Sequence, residues 1–216
     1  MRILIADDHP IVRHGLRQIL ADSADVSEVG EAASEADVLQ LLRAQAWDVL
    51  VLDLAMPGRG GLETLKLVRA EWPRLPILVL TMYPEDQYAV RALRAGADGY
   101  LNKESAAEKL LEAIRKVNGR GKYVSERVAE RLAVEISRPG GGAPHEGLSD
   151  RELQVLVLLG SGKTVGDIAE LLALSAKTVS TYRARILEKT GLRNNAELMQ
   201  YAIEHNLTRS VVSDKP

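Results

Sequence analysis

Along the first 120 residues, short runs of consecutive apolar positions alternate with longer stretches in which apolar residues recur every three or four positions. The short runs are Ile3–Ala6, Val26–Glu31, Val49–Leu52, Ile77–Leu80 and Gly99–Leu101. Their length and Val/Ile/Leu content predict strands buried on both faces. Between them, Ile11–Leu20, Ser34–Ala44, Leu62–Glu71, Glu85–Ala95 and Ala106–Val117 carry helical spacing, and Ser34 with Asp37 supplies an N-cap pair. Strand followed by helix, repeated along the segment, predicts an α/β domain on a five-stranded, doubly wound parallel sheet.

Beyond residue 120 the pattern changes. Ser125–Ser137 reads as one more helix, and RPGGGAPHEG then brings three consecutive glycines and two prolines, which cannot continue it. Residues 121–147 are therefore expected to be a helical segment and a flexible linker between a domain at 1–120 and a second at 148–216. The second domain reads as all-α: Asp150–Leu159, Val165–Leu172, Ala176–Thr190 and Ala196–His205. Ser149 with Glu152 forms a capping box, and Ser175 stands at the N-cap of the third helix. Thr164–Leu172, the turn Ala173–Ser175 and Ala176–Thr190 make a helix-turn-helix. On the last of these helices Val179, Tyr182 and Ile186 share a face expected in the core. Lys177, Ser180, Thr181 and Ala184 gather opposite, flanked by Arg183 and Arg185.

Composition changes the picture in two ways. With 216 residues and 46% apolar content the chain can fill two modest cores, and the absence of cysteine excludes disulfides and thiolate metal sites. The start, MRILIADDHP, meets two aspartates too early for a signal peptide, and no run approaches the ~18 apolar residues of a membrane span. A cytoplasmic protein without membrane contact is expected. The formal net charge is −2, but between Lys177 and Arg193 five basic residues (Lys177, Arg183, Arg185, Lys189, Arg193) face one acid, Glu188. Positive charge is concentrated where a phosphate backbone would meet it.

In a doubly wound sheet, ligands bind beyond the carboxyl ends of the strands. Those positions hold Asp7 and Asp8 after the first strand, Asp53 after the third, Thr81 after the fourth and Lys103 after the fifth. Three carboxylates in one crevice suit a hard cation, and magnesium fits. With it, one carboxylate oxygen attacks phosphorus while the metal and an ammonium take up charge. Any single aspartate after a strand is commonplace in a loop; the joint set is not.

These residues, with Met56-Pro57-Gly58 and Gly99-Tyr100-Leu101-Asn102-Lys103, make residues 1 to about 120 resemble the receiver domain of two-component response regulators. The resemblance implies a flavodoxin-like receiver with Asp53 as phosphoacceptor. It implies Asp7, Asp8, Asp53 and the backbone carbonyl of Ala55 as magnesium ligands, Thr81 as switch hydroxyl and Lys103 as the phosphoryl-pairing lysine. Tyr100 would be the aromatic that turns inward on activation. Gly60 departs from a common aspartate and Glu104 from a common proline. Ala55, which cannot hydrogen-bond an attacking water, and Tyr83, placed to shield the phosphoryl group, lead to an expectation of slow acyl-phosphate hydrolysis.

The stretch LSDRELQVLVLLGSGKTVGDIAELLALSAKTVSTYRARILEKTG resembles the LuxR-type domain of the NarL/FixJ response-regulator subfamily, over about 148 to 207. That resemblance implies DNA contacts from Lys177, Thr178, Ser180, Thr181, Tyr182, Arg183, Arg185 and Lys189, and pairing through the last helix. The implied partners are a sensor histidine kinase, double-stranded promoter DNA, a second copy of the chain when phosphorylated, and RNA polymerase. The rivals are a magnesium-dependent phosphatase or phosphotransferase, which would need a second acid for proton transfer, and a regulator whose receiver only dimerises. Gly160–Thr164 mimics the end of a P-loop, but Val157 stands where its first glycine belongs and a helix precedes it. His9, His14, His145 and His205 show no metal-ligand spacing and read as structural or solvated.

Overall fold

The computed structural model describes residues 1–56, 60–137, 143–205 and 207–208. It divides into two compact units, Met1–Val134 and Glu135–Pro216. In the first, β1 (Arg2–Ala6), β2 (Glu28–Ala32), β3 (Val49–Leu52), β4 (Ile77–Thr81) and β5 (Gly99–Asn102) form one parallel sheet in the order β2-β1-β3-β4-β5. The helices between them are α1 (Pro10–Ala21), α2 (Glu35–Ala44), α3 (Gly61–Glu71), α4 (Glu85–Arg94) and α5 (Ala106–Asn118), followed by α6 (Glu126–Ser137). The two faces of the sheet are apolar because strand side chains alternate and both sides are covered. Ile3, Ile5, Val49, Val51, Leu78 and Leu80 pack with Leu16 and Leu20 of α1 and with Leu110, Ile114 and Val117 of α5. Leu4, Leu50, Leu52, Ile77 and Val79, on the alternate positions, are equally buried.

The predicted elements lie within one residue of the observed ones, with one exception. β2 begins at Glu28 rather than Val26, because the Val26 amide donates to the Ser23 carbonyl and the Ser27 amide to the Met1 carbonyl, closing a turn. Ser34 caps α2 through its hydroxyl, which accepts from the Asp37 amide at 3.2 Å.

The strand order reverses between β1 and β3, and that switch point positions the site. Ala6 stands in register with Leu52, so Asp7 and Asp53 are neighbours one step beyond the paired segment. The Asp53 amide donates to the Ala6 carbonyl at 2.9 Å. Two glycines hold the loop that follows. Gly60, with φ 101° and ψ 144°, occupies a backbone region open essentially to glycine alone, which accounts for glycine where aspartate is common in similar domains. The Gly61 amide donates to the Leu54 carbonyl at 3.2 Å, and a β-carbon on Gly61 would lie 2.2 Å from the Leu54 α-carbon.

The second unit contains α7 (Asp150–Gly160), α8 (Val165–Leu171), α9 (Ala176–Thr190) and α10 (Asn195–Glu204). Its start differs from expectation. The last four residues of the predicted linker, Pro144–Gly147, form a 3-10 turn, and His145 is buried with its ring Nδ1 2.9 Å from the Tyr201 hydroxyl on α10. The glycine-rich centre of the predicted linker, 138–142, lies outside the described residues. Ser149 and Glu152 cap α7 reciprocally, and Thr164 with Asp167 does the same for α8. The turn between α8 and α9 is closed by the Leu174 amide on the Ala169 carbonyl at 2.8 Å, with Ala173 in the left-handed region at φ 52°. The P-loop look-alike is the end of α7 plus the cap of α8, not a strand-to-helix phosphate loop.

Gly61→Ala should destabilise the first unit by about 1–3 kcal/mol, since the displaced atom is main chain and cannot swing aside. Urea denaturation of the full chain checks this, and an unchanged midpoint would mean the loop after Asp53 is not clamped at Leu54.

Candidate functional site

Each acidic residue is delivered by the end of a strand. Asp7 and Asp53 are buried, while the Asp8 side chain is 28% exposed at the rim. Asp53 Oδ1 accepts the Ala55 amide at 3.0 Å, and Lys103 Nζ donates to Asp53 Oδ2 at 2.6 Å. The same ammonium lies 2.6 Å from Asp7 Oδ2. That contact has the distance of an ion pair without the angles of a hydrogen bond, so Asp7 Oδ2 is buried with no hydrogen bond of its own, as is Asp8 Oδ1. Asp7 Oδ1 accepts the His9 amide at 2.9 Å. Donor atoms of Asp7, Asp8, His9 and Asp53 all lie within 4.8 Å of one another.

The electrostatics follow from burial. Desolvation pushes the Asp53 carboxyl up, and Lys103 and the Ala55 amide offset this only in part, so it stays above its ordinary 3.8. Burial works against the Lys103 ammonium as well, but Asp53 and then Asp7 outweigh it and hold the group above its ordinary 10.5. Hard oxygen donors, two of them buried without a hydrogen bond, beside a carboxyl that burial discourages from ionising, fit a divalent cation of the magnesium type. The carbonyl of Ala55 belongs to the same loop as its amide.

Thr81, fully buried at the end of β4, accepts the Tyr83 amide through its hydroxyl at 3.4 Å. Tyr100 is turned inward in this structure. Its ring is buried, and its hydroxyl donates to the Tyr83 carbonyl at 2.8 Å. Burial foremost, then Tyr88 and Glu85, push its phenol far above the usual range, so it stays a donor. Tyr83 in turn stacks on Tyr88 with ring centres 4.5 Å apart. Glu104 makes an ordinary trans linkage; among the described residues there is no cis peptide.

On α9, Val179 and Ile186 are fully buried and Tyr182 is half-buried. Lys177, Ser180, Thr181, Ala184 and Arg185 are exposed. Four of the predicted DNA residues have partners inside the unit, the Thr181 hydroxyl donating to the Lys177 carbonyl at 2.9 Å. Thr178 shares a hydrogen bond with Ser175 at 2.7 Å, Arg183 Nε donates to Asn195 Oδ1, and Lys189 Nζ lies 2.6 Å from the buried Glu152. Burial raises the Glu152 carboxyl, but Lys189 and the Ser149 amide outweigh it and hold the group below its ordinary 4.5.

Known proteins agree with this geometry at the level of family. Residues 3–115 match the model of the response regulator receiver domain, and residues 146–202 that of bacterial regulatory proteins of the luxR family. The response regulator GacA of Pseudomonas aeruginosa is 38% identical over 209 residues, covering 96% of this chain and 97% of GacA. The chain belongs to the NarL/FixJ response regulators, with a receiver and a LuxR-type DNA-binding domain. The response regulator UvrY of Escherichia coli is 36% identical over 208 residues, covering 96% of this chain and 95% of UvrY. Among solved structures, RcsB from Salmonella enterica serovar Typhimurium, bound to promoter rprA in the presence of phosphomimetic BeF3-, matches with TM-score 0.63 and 31% identity. That alignment covers 93% of this chain and 97% of RcsB.

Two groupings in this response regulator were not visible in the sequence. His9 read as structural or solvated, yet its ring Nδ1 lies 2.9 Å from Asp8 Oδ1 and 3.3 Å from Asp7 Oδ1. His145 and His205 looked scattered, yet their rings stand 5.2 Å apart, both against Tyr201. The 59 residues between His145 and His205 hide the second pair; for His9 the adjacency to Asp7 and Asp8 was the available signal.

Replacing Lys103 by Met removes the cation between Asp7 and Asp53. An acid whose folded pKa lies above its unfolded one is neutral in both states at low pH, and it withdraws stability as pH rises from the unfolded value through the folded one. Lys103→Met in EDTA should therefore lose little at pH 4 and about 3 kcal/mol at pH 8. Thermal denaturation at the two values checks the sign, and an equal loss at both would contradict it.

Proposed function

We propose that Asp53 accepts a phosphoryl group from a phosphohistidine of a sensor kinase in a magnesium-dependent step, and that the modified receiver controls promoter binding by α9. The observation that carries this reading is the buried Asp53 carboxylate, 2.6 Å from Lys103 Nζ and beside the acids Asp7 and Asp8. An Asp53 oxygen forms a P–O bond as the donor's P–N bond breaks, and the imidazole leaves with a proton. Lys103 takes charge on the phosphoryl oxygens, and Thr81 supplies a hydroxyl to them. Asp7, Asp8, Asp53 and the Ala55 carbonyl would hold the magnesium, which supplies further positive charge to the same oxygens when bound.

The response then runs through the β4 end. Phosphorylation brings about 1.5 to 2 negative charges, drawing Thr81 and Lys103 toward Asp53. Because the Tyr100 hydroxyl grips the Tyr83 carbonyl, a shift of Thr81 is felt by the buried ring and by α4. The reading includes a receiver at 1–120, a helical segment and linker at 121–147 and a DNA-binding domain at 148–216. It also includes a phosphorylated homodimer on two half-sites, contact with RNA polymerase and a cytoplasmic location. We read the pocket as a phosphoacceptor rather than a turnover centre.

Acetyl phosphate with magnesium should add one phosphoryl mass to the chain and none to Asp53→Asn. Followed by intact mass, the adduct should outlast seconds, as Ala55 and the Tyr83 shield require. No adduct from any phosphodonor would favour a receiver that only dimerises, whereas steady hydrolysis of small phosphoesters, absent in Asp53→Asn, would favour an enzyme.

For DNA, Lys177, Thr178, Ser180, Thr181, Tyr182, Arg183, Arg185 and Lys189 form the proposed surface, with Lys177, Ser180, Thr181 and Arg185 exposed for direct contact. Arg185→Ala should weaken binding to a selected duplex and reduce the slope of log affinity against log salt by about 1. An unchanged slope would remove Arg185 from the phosphate contacts.

A further inference from the structure

His9 follows Asp8 directly and is the N-cap residue of α1, although its side chain makes no cap hydrogen bond there. Its ring leans over the acids instead. Nδ1 stands 2.9 Å from Asp8 Oδ1 and 3.3 Å from Asp7 Oδ1, the second contact also meeting hydrogen-bond geometry, so that a cation would take the place of a ring proton there. In an octahedral site with bonds of about 2.1 Å, donors on a shared edge are about 3.0 Å apart and opposite donors about 4.2 Å. The two His9 distances are close to shared edges, and the 4.8 Å span of the whole group is only slightly wider than an opposite pair. Asp8 Oδ1, which makes the closer approach, is buried without a hydrogen bond, and so is Asp7 Oδ2. The ring's other side is open, since the His9 side chain is 62% exposed. A cation among these atoms would meet a nitrogen as well as oxygens.

Nitrogen changes which cation is favoured. Carboxylate, carbonyl and water suit magnesium and manganese, whereas imidazole suits the later first-row ions, whose affinities rise from iron through cobalt to nickel. We infer that His9 Nδ1 is a direct ligand of the divalent-cation site, and that it biases the site toward cobalt-type ions relative to magnesium. This rests on the acidic pocket being the cation site of the proposed function. The bias is a property of this chain's ligand set, independent of the phosphodonor.

The test uses the full chain at a fixed pH of about 8, where imidazole is neutral. Calorimetric titration with Mg2+ and with Co2+, counting only Co2+ that excess Mg2+ displaces, compares the wild type with His9→Ala. Co2+ affinity should fall about tenfold or more in His9→Ala and Mg2+ affinity less than about threefold. Electron spin-echo spectra of Mn2+ in the Mg2+-displaceable site should show nitrogen coupling in the wild type and none in His9→Ala. Equal loss for both metals would make the ring only an ion-pair partner of the acids and would overturn the inference, as would a Mn2+ spectrum without nitrogen coupling. Because truncation removes no cap bond, loss of fold is not the expected confounder; a far-ultraviolet circular dichroism spectrum matching the wild type verifies it. If wild type binds Mg2+ but the nitrogen signal is missing, the role of His9 alone fails. If wild type binds neither Mg2+ nor Mn2+, the pocket is not a cation site and both readings fall.

Discussion

One ammonium between two buried carboxylates governs the receiver. The parallel sheet places Asp7 and Asp53 side by side, because Ala6 and Leu52 are paired and each chain runs one step further at the point where strand order reverses. Two anions so placed oppose each other's ionisation, and desolvation adds to the cost. Lys103, delivered by β5, which two strands separate from β1, stands 2.6 Å from an oxygen of each. The ion cluster therefore ties the ends of three strands together, and any group that competes for Lys103 must disturb all three. A phosphoryl group on Asp53 is such a competitor: it moves the negative charge outward from the carboxylate and leaves Asp7 with less of the cation.

The tyrosines determine how such a disturbance spreads. In similar receivers an aromatic at this place is expected to turn inward on activation, but the Tyr100 ring is already buried and its hydroxyl already spent on the Tyr83 carbonyl. A buried phenol needs a partner, and the carbonyl two residues beyond Thr81 is the one within reach. The consequence is that the ring and the loop 81–83 are mechanically joined. A displacement of that loop would therefore be transmitted to the Tyr100 ring and to α4, which carries Tyr88 under the Tyr83 ring.

The fold was legible because its determinants are local. Unbroken apolar runs give strands buried on both sides, and chemistry placed one residue past those runs is the mark of a doubly wound sheet, so Asp7, Asp8, Asp53, Thr81 and Lys103 could be found without coordinates. Where the reading missed, the missing information was tertiary. Val26 has a strand residue's side chain but closes a turn onto Ser23. Pro144–Gly147 has a linker's composition, yet His145 is fixed by Tyr201, 56 residues later in the chain. A search for His/Cys ligand spacing passed over His9, although the two acids its ring faces, Asp7 and Asp8, stand directly before it in the sequence.

The same limit applies to α9, and it changes how its basic residues should be weighed. A helical wheel shows which residues share a face but not which of them are occupied by neighbouring helices. Lys189 is on the helix's last turn and its charge is matched by Glu152, which is nearly buried and has no second basic partner among the contacts described. Removing Lys189 would leave only the cap hydrogen bonds from Ser149 against the desolvation of that carboxylate and would damage α7 before it touched DNA. Arg183 likewise braces the start of α10 through Asn195. Lys177 and Arg185 carry no such internal duty in the contacts described, so the positive charge free to meet a phosphate backbone is smaller than the sequence suggests and stands on the first turn and just past the middle of the helix. Ser180 and Thr181, also exposed, lie between these two basic residues along the helix.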